Sequence, residues 1–248
     1  MKPFRIFTHA ACEPPGYIGE LLDKLGFDYD HVCLFDDKQV PMQLDDVSAL
    51  VFMGGPGNVN EPTSWMKQEF DLIRQANTAN IPMLGICLGA QLMSVSLGGR
   101  VWESNTVEVG WHQVTLLDSA KSYPYFESIP ESFTVFQWHA HIFSPPLQAV
   151  EVATSECSPC QAYILGPHLA LQFHLEMSSD VIEALTDKYA EDLVGDSSCV
   201  QNREQIMRDI DNQCAATFKL ADQMLTPWFQ GIANGSKKPY KTYSHETV

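Results

Sequence analysis

The segment Gly85-Ile86-Cys87-Leu88-Gly89-Ala90-Gln91 indicates an α/β fold, because it places a cysteine between two glycines where an apolar run changes to a helical pattern. Segment 81–86 is typical of a buried strand, and segment 88–97 is typical of a helix that ends at a Gly-Gly pair. A tight strand-to-helix turn needs small neighbours, and it sets Cys87 at a helix N-terminus, an environment that favours a thiolate. The pattern predicts a nucleophile, with a packed core cysteine as the alternative.

Strand-like and helical segments alternate through the first hundred residues, which predicts a parallel sheet with helices on both faces. After Gly99 the pattern changes to short runs separated by turns, which favours an antiparallel or mixed extension of that sheet. We therefore expect a three-layer α/β domain over residues 1–226, with a mostly parallel central sheet and a helical extension over about 179–226. Residues 227–248 are expected to form a flexible tail, since the sequence is polar from about Ile232 onward.

Composition excludes several classes of protein. The 248 residues carry a formal net charge of −16, which argues against nucleic acid as a partner, and no apolar run approaches the length of a membrane span. The seven cysteines are scattered and the N-terminus does not resemble a secretory signal, so reduced thiols in a cytoplasmic protein are expected. Cys157 and Cys160 form the one close pair, too few ligands for zinc, and neither a metal nor a cofactor is expected.

A second motif lies far from the cysteine along the chain. An apolar run over 169–173 leads into His174 and Glu176, which are two residues apart and can face the same side of an extended chain. Each alone is more often a surface or solvated residue. Together with Cys87 they provide the nucleophile, base and orienting carboxylate of a catalytic triad.

The glycine-rich stretch Gly54-Gly55-Pro56-Gly57 follows another predicted strand. It has no bulky side chains to block a substrate, and its backbone N–H groups could stabilise an oxyanion. The alternatives are an ordinary turn and a phosphate loop, but the Gly-Lys-Ser/Thr signature of a phosphate loop is missing.

Taken together, these motifs resemble those of the class I glutamine amidotransferase family, particularly stand-alone members similar to the amidotransferase domain of GMP synthase. Residues 85–91 resemble the family's nucleophile motif, residues 172–176 its histidine–glutamate motif, and residues 53–57 its glycine-rich oxyanion strand. Leu175 stands where proline is usual. The resemblance implies a flavodoxin-like fold.

It also implies roles for individual residues. The backbone N–H groups of Gly55 and Leu88 would hold the oxyanion of the tetrahedral intermediate. Gln91 would contact the amino-acid end of the substrate, with Gly54 and Pro56 beside it.

Residues 135–143 resemble the segment that binds the α-amino group of glutamine in GMP-synthase-like members, which implies substrate contacts for Trp138, His139 and His141. An aspartate is usual at the position of His141, and an imidazole offers an ammonium group no fixed negative charge. The two histidines could also form a metal pair, but no third ligand is evident nearby.

The predicted function is cleavage of the γ-amide of glutamine, or of a glutamine-like substrate, through a γ-glutamyl thioester on Cys87, with release of ammonia and glutamate. A separate synthetase subunit would accept the ammonia, since the sequence contains no phosphate-loop signature. Two alternatives stay open: an independent γ-glutamyl conjugate hydrolase or peptidase, favoured by His141, and a non-catalytic binding module.

Overall fold

The computed structural model describes residues 1–10, 14–34, 39–194 and 197–235. Within them the strands are β1 (Phe4–Thr8), β2 (Tyr29–Cys33), β3 (Ala49–Phe52), β4 (Met83–Ile86), β5 (Arg100–Leu116), β6 (Ser132–Ser144), β7 (Val150–Ser155), β8 (Ala162–Leu165) and β9 (His168–Leu171). The α-helices are α1 (Gly16–Leu25), α2 (Ser64–Thr78), α3 (Leu88–Ser96), α4 (Ser179–Lys188), α5 (Arg203–Met207) and α6 (Ile210–Ala233). Short 3-10 turns cover Asp118–Ser122, Pro124–Phe126 and Ala190–Leu193.

All the strands join one sheet in the order β2-β1-β3-β4-β9-β8-β7-β5-β6. The first five strands of that order pair in parallel, as the alternation of strands and helices predicts. Strands β3, β4 and β9 are fully buried, which explains their unbroken apolar sequences. Because the strands are parallel, the chain leaves β1, β3, β4 and β9 at the same edge of the sheet, where α/β proteins build their sites.

The other half of the sheet is antiparallel from β9 to β6, which confirms the predicted mixed extension. Strand β5 has 17 residues and is much longer than the short runs expected after Gly99. Its first half is partly exposed and mixes polar with apolar residues, so it carries little apolar periodicity.

Helices cover both faces of the sheet and complete the three layers. One apolar core joins α1 and α6 to one face, and a second joins α2 and α3 to the other. A third, smaller cluster packs α4 and α5 beside β5 and β6.

The C-terminal region differs from the prediction in two ways. Asp209 adopts a left-handed conformation with φ of 57°, so the predicted helical extension is interrupted there, with α5 before the break and α6 after it. The predicted start of the tail at 227 is wrong, because α6 continues through Pro227 and buries Trp228 and Phe229. Burial of two aromatic rings offsets the roughly 3 kcal/mol that an internal proline costs a helix. Residues 236–248 lie outside the described residues.

The expectation of reduced thiols is wrong for one pair. Cys157, in the turn after β7, forms a disulfide with Cys199, and their Cα atoms are 6.0 Å apart. Cys160, the neighbour in sequence, is a buried free thiol instead. The pairing depends on a bridge between Val109 of β5 and Val200, a long-range contact that spacing in the sequence does not reveal. No helix of the described chain combines the length and apolarity needed to cross a bilayer.

Candidate active site

The turn between β4 and α3 holds Cys87 in a strained conformation, with φ of 48° and ψ of −106°. Such a backbone costs about 1–3 kcal/mol and persists only where its surroundings enforce it. The flanking glycines explain how the turn fits: a Cβ on Gly85 would lie 2.7 Å from the Ala90 nitrogen, and one on Gly89 would collide with the Phe52 carbonyl. The N–H of Cys87 donates to the carbonyl of Leu171 at 2.8 Å, which ties the turn to β9.

His174 and Glu176 lie just beyond β9, which ends at Leu171 and is therefore shorter than predicted. The backbone N–H of His174 donates to the Phe136 carbonyl at 3.0 Å. Its Nδ1 lies 2.7 Å from Oε1 of Glu176, and both side chains are almost fully buried. The other carboxylate oxygen of Glu176 accepts the N–H of Leu175 at 2.9 Å, so the carboxylate is fixed in place.

The imidazole of His174 also hydrogen-bonds to Cys87, and because Nδ1 faces Glu176 the contact with sulfur uses Nε2. Burial by itself would lower the pKa of His174. The negative charges of Glu176 and Cys87, with their hydrogen bonds, outweigh burial and hold that pKa well above its ordinary value of 6.5. The structure thus brings the cysteine, histidine and carboxylate of the predicted triad into one hydrogen-bonded chain.

The glycine-rich loop after β3 borders the same cavity. Gly55, Pro56 and Gly57 line it together with Cys87 and Leu88. Gly55 has φ of +158°, and a Cβ there would lie 2.6 Å from the Cβ of His9, so the position accepts only glycine without movement. Within the described residues, the N–H groups of Gly55 and Leu88 donate to no protein acceptor. Gly54 does not line the cavity, unlike the other predicted loop residues.

The cavity has a volume of about 230 Å³. That is below the roughly 300–1,000 Å³ of sites for drug-sized ligands, so it suits a group of amino-acid size. Gln91 lines it, but the side-chain nitrogen of Gln91 already donates to the carbonyl of His141 at 3.1 Å. Gln172 was not singled out from the sequence, yet its side-chain amide lies 3.7 Å from the sulfur of Cys87.

Strand β6 supplies Trp138, His139 and His141 to the cavity wall. His139 is buried, and its Nδ1 donates to the carbonyl of His141 at 3.1 Å. Its Nε2 lies 3.1 Å from a carboxylate oxygen of the fully buried Glu108, although these two atoms are not aligned for a hydrogen bond. The imidazole of His139 therefore lines the cavity with Nδ1 bonded to the backbone and Nε2 beside the Glu108 carboxylate.

The outer wall was missed by the sequence analysis. Met177, Leu185 and Tyr189 form its apolar part, and Asp192 contributes a carboxylate that accepts the indole N–H of Trp138 at 2.9 Å. Among the described lining residues, Asp192 is the one acid. These residues lie in or next to α4. The helical pattern of that segment does not indicate that it packs beside β6.

Comparison with known proteins adds to this geometry. The model of the family described as glutamine amidotransferase class-I matches residues 18–188. The chain belongs to the class I glutamine amidotransferase family. Within this family, YfeJ of Salmonella typhimurium, named as a glutamine amidotransferase-like protein, is 28% identical over 192 residues, or 75% of this chain and 80% of that protein. A subunit of the glutamine-hydrolysing GMP synthase of Sulfolobus acidocaldarius is 30% identical over 153 residues, or 59% of this chain and 76% of its own length.

Solved structures of glutamine amidotransferases have the same fold. The glutamine amidotransferase of Methylobacillus flagellatus superimposes with a TM-score of 0.88 over 100% of both chains, at 27% identity. That of Thermotoga maritima superimposes with a TM-score of 0.80 over 92% of this chain and 97% of its own, at 25% identity. These matches confirm the fold and the family that the motifs indicate.

Proposed function

We propose that the protein hydrolyses the γ-amide of glutamine, or of a glutamine-like γ-glutamyl compound, with Cys87 as the nucleophile. The observation that carries this proposal is the chain of hydrogen bonds from Glu176 through His174 to a cysteine held in a strained turn. Nothing in the packing of a core cysteine requires that arrangement. The non-catalytic alternative leaves it without a purpose.

The reaction follows from the positions of these groups. A charged His174 favours the thiolate of Cys87, which attacks the γ-carbonyl carbon and forms a carbon–sulfur bond. The N–H groups of Gly55 and Leu88 stabilise the resulting oxyanion, a contribution worth about 2.7–4 kcal/mol per donor. His174 then gives its proton to the departing nitrogen as the carbon–nitrogen bond breaks, which leaves a γ-glutamyl thioester.

Water completes the cycle. His174, now neutral, takes a proton from the water that attacks the thioester. The carbon–sulfur bond then breaks, which releases glutamate and restores the thiolate of Cys87 on the enzyme. Glu176 holds the ring so that Nε2 keeps facing the sulfur in both halves of the reaction.

The cavity also supports a second candidate, hydrolysis of a γ-glutamyl conjugate with a larger amine. The position of His141 carries no acid, and the carboxylate of Asp192 lies on the outer wall next to Met177, Leu185 and Tyr189. An apolar outer wall suits a leaving group larger than ammonia. For free glutamine, the likeness to one subunit of a GMP synthase suggests a separate synthetase as the ammonia acceptor.

A substrate panel tests both candidates. Purified protein is incubated with glutamine and with γ-glutamyl amides of small, apolar and aromatic amines, and release of ammonia, amine and glutamate is measured beside the Cys87→Ala variant. Cys33→Ala is the matched control, because Cys33 also contacts an imidazole, 3.3 Å from Nε2 of His31, but lies on the edge strand β2.

We expect release that Cys87→Ala abolishes and Cys33→Ala leaves unchanged. Turnover of glutamine supports an amidotransferase, and turnover of conjugates with inert glutamine supports the conjugate hydrolase. If no compound is cleaved in a Cys87-dependent way, with or without cell extract to supply a partner, the enzymatic proposal is wrong and a binding module is left.

A further inference from the structure

A buried histidine lies behind the glycine-rich loop, outside the cavity. The Nδ1 of His9 is 3.1 Å from the carbonyl oxygen of Gly54, and Nε2 is 3.2 Å from the carboxylate of Glu69. The ring stacks on the indole of Trp65 with centroids 4.8 Å apart. His9 is 3% exposed and Glu69 is fully buried, so both contacts form away from solvent.

The chemistry of the contact assigns its direction. A carbonyl oxygen can only accept a hydrogen bond, so Nδ1 carries a proton and donates it to Gly54, while the contact of Nε2 with the Glu69 carboxylate is bridged by a second proton. Glu69 and Trp65 are both on α2, and together they fix the ring in its plane. The donor that reaches Gly54 is therefore held in place by two side chains of α2.

Geometry of the peptide links this contact to the cavity. In a trans peptide the C=O and the following N–H point in opposite directions, and the described residues contain no cis bond. A Gly54 carbonyl held toward His9 thus aims the N–H of Gly55 to the other side, where Gly55 lines the cavity. A peptide between two glycines has few steric barriers to rotation, so the orientation needs an external anchor.

We propose that His9, held by Glu69 and Trp65, is a positioning residue that fixes the Gly54–Gly55 peptide and so points the Gly55 N–H at the reacting carbonyl. The role of that N–H as an oxyanion donor rests on the proposed function. The orientation of the peptide does not.

Two polar variants separate the contact of the ring with Gly54 from its contact with Glu69. The amide nitrogen of asparagine reaches about as far as Nδ1, so His9→Asn keeps a donor for Gly54 and loses the contact with Glu69. The amide nitrogen of glutamine reaches about as far as Nε2, so His9→Gln keeps the contact with Glu69 and leaves the Gly54 carbonyl without its donor. The positioning role predicts opposite orders for stability and activity.

On the panel compound that the wild type cleaves fastest, His9→Gln should lose roughly 10²-fold in kcat with little change in KM, because an oxyanion contact forms mainly in the transition state. His9→Asn should restore most of kcat but lower Tm by roughly 2–10 °C, since Glu69 loses its partner. Alkylation of Cys87 by iodoacetamide needs no oxyanion donor and should proceed at the wild-type rate in both variants. Activity that falls in the same order as Tm would mean that His9 acts through stability alone and would overturn the proposal.

A spectroscopic measurement decides the matter even for a protein that cleaves nothing on the panel. With glycine labelled with ¹⁵N and with ¹³C at its carbonyl, the Gly-Gly pairs 54–55 and 98–99 give the two amides that follow a labelled carbonyl. A Gly98→Ala background removes the second, and the remaining resonance is that of Gly55. It should shift in His9→Gln and stay near its wild-type position in His9→Asn. A Gly55 amide that His9→Gln leaves unmoved contradicts the positioning role whatever the kinetics, and the Gln variant alone is decisive if the Asn variant does not fold.

Discussion

Two buried histidines lie at opposite ends of β9, and their pKa values are shifted in opposite directions. His168 begins the strand, donates from Nε2 to the side chain of Asn77 at 3.0 Å, and has its pKa lowered by burial to about 4. His174 follows the other end, and although burial alone would lower its pKa, Glu176 and Cys87 raise it well above 6.5. The two rings are 1% and 2% exposed, so burial does not distinguish them.

The partners of the two rings account for the difference in their pKa values. Protonation of His168 would leave a buried charge beside a neutral amide, that of Asn77. The Nδ1 of His168 has no hydrogen-bond partner among the described residues. Protonation of His174 instead places a charge between a carboxylate and a thiol. The partners supplied by the loops at the carboxyl ends of the strands convert a neutral core residue into a charged, reactive one.

The largest expected effect comes from removing the carboxylate at the active end. Glu176→Gln should lower kcat by roughly 10²–10⁴-fold, because an amide neither orients nor stabilises the imidazolium as a carboxylate does. The pKa of His174 should fall toward that of His168, which NMR titration of the ring would measure. Asp187→Asn, at an exposed acid of α4 bound to Arg203, is the control and should change neither value. A Glu176→Gln enzyme with kcat near that of the wild type would mean that this carboxylate is not part of the machinery.

A smaller effect concerns stability in acid. The unfolded chain takes up a proton at His168 near pH 6.5 and the folded chain only near pH 4, so the folded state binds fewer protons between these values. The free energy of unfolding should therefore fall by up to about 3 kcal/mol through this residue as pH falls through that range. His168→Gln keeps the donor to Asn77 without titrating, and urea denaturation should show a correspondingly weaker loss. Equal acid sensitivity of the variant and the wild type would be incompatible with a neutral, buried His168.

The contribution of His174 to the free energy of unfolding changes with pH in the opposite direction and over a separate pH range. Its raised pKa contributes stability that is fully present below pH 6.5 and is lost as pH rises through the folded-state value. Of these two histidines, His168 therefore contributes to the loss of stability in acid and His174 to the loss in alkali.

The smallest expected effect would make the two ends more alike. Asn77→Asp gives His168 a carboxylate partner like the one that His174 has, and the negative charge should raise the pKa of His168 by about one unit or more. The rise is smaller than at His174 because water partly screens position 77. NMR titration of the ring measures this shift, with Asn80→Asp beyond the end of α2 as the control for added charge. If the pKa of His168 does not rise in Asn77→Asp, a neighbouring carboxylate does not account for the contrast.

The local features of the site were predictable from the sequence. The glycines around Cys87 and the strand before it are neighbours in the chain, so the constraints on the turn appear in consecutive residues. The parallel half of the sheet was predictable for the same reason, since each strand and helix carries its own apolar period.

Contacts between distant segments were not predictable. The disulfide of Cys157 with Cys199, the pair of His139 with Glu108, and the position of Asp192 all depend on how β5 and β6 meet the chain after β9. The tail was predicted to start too early because a proline at 227 is unusual inside a helix. In the structure α6 continues past Pro227, because Trp228 and Phe229 are buried in the core.

The proposed mechanism requires that Cys87, and no other thiol, carries the acyl group. Burial raises the pKa of Cys160 to about 12 and that of Cys214 to about 11, which leaves Cys33 beside His31 as the competing thiol among the free cysteines that the structure describes. Cys12 lies outside the described residues. The enzyme is mixed with the panel compound it cleaves fastest, labelled in its γ-glutamyl group, then quenched in acid, digested and mapped by mass spectrometry. We predict a γ-glutamyl thioester on the peptide that contains Cys87 and an unmodified peptide around Cys33. Label on Cys33, or product formed with no label on Cys87, would contradict the account.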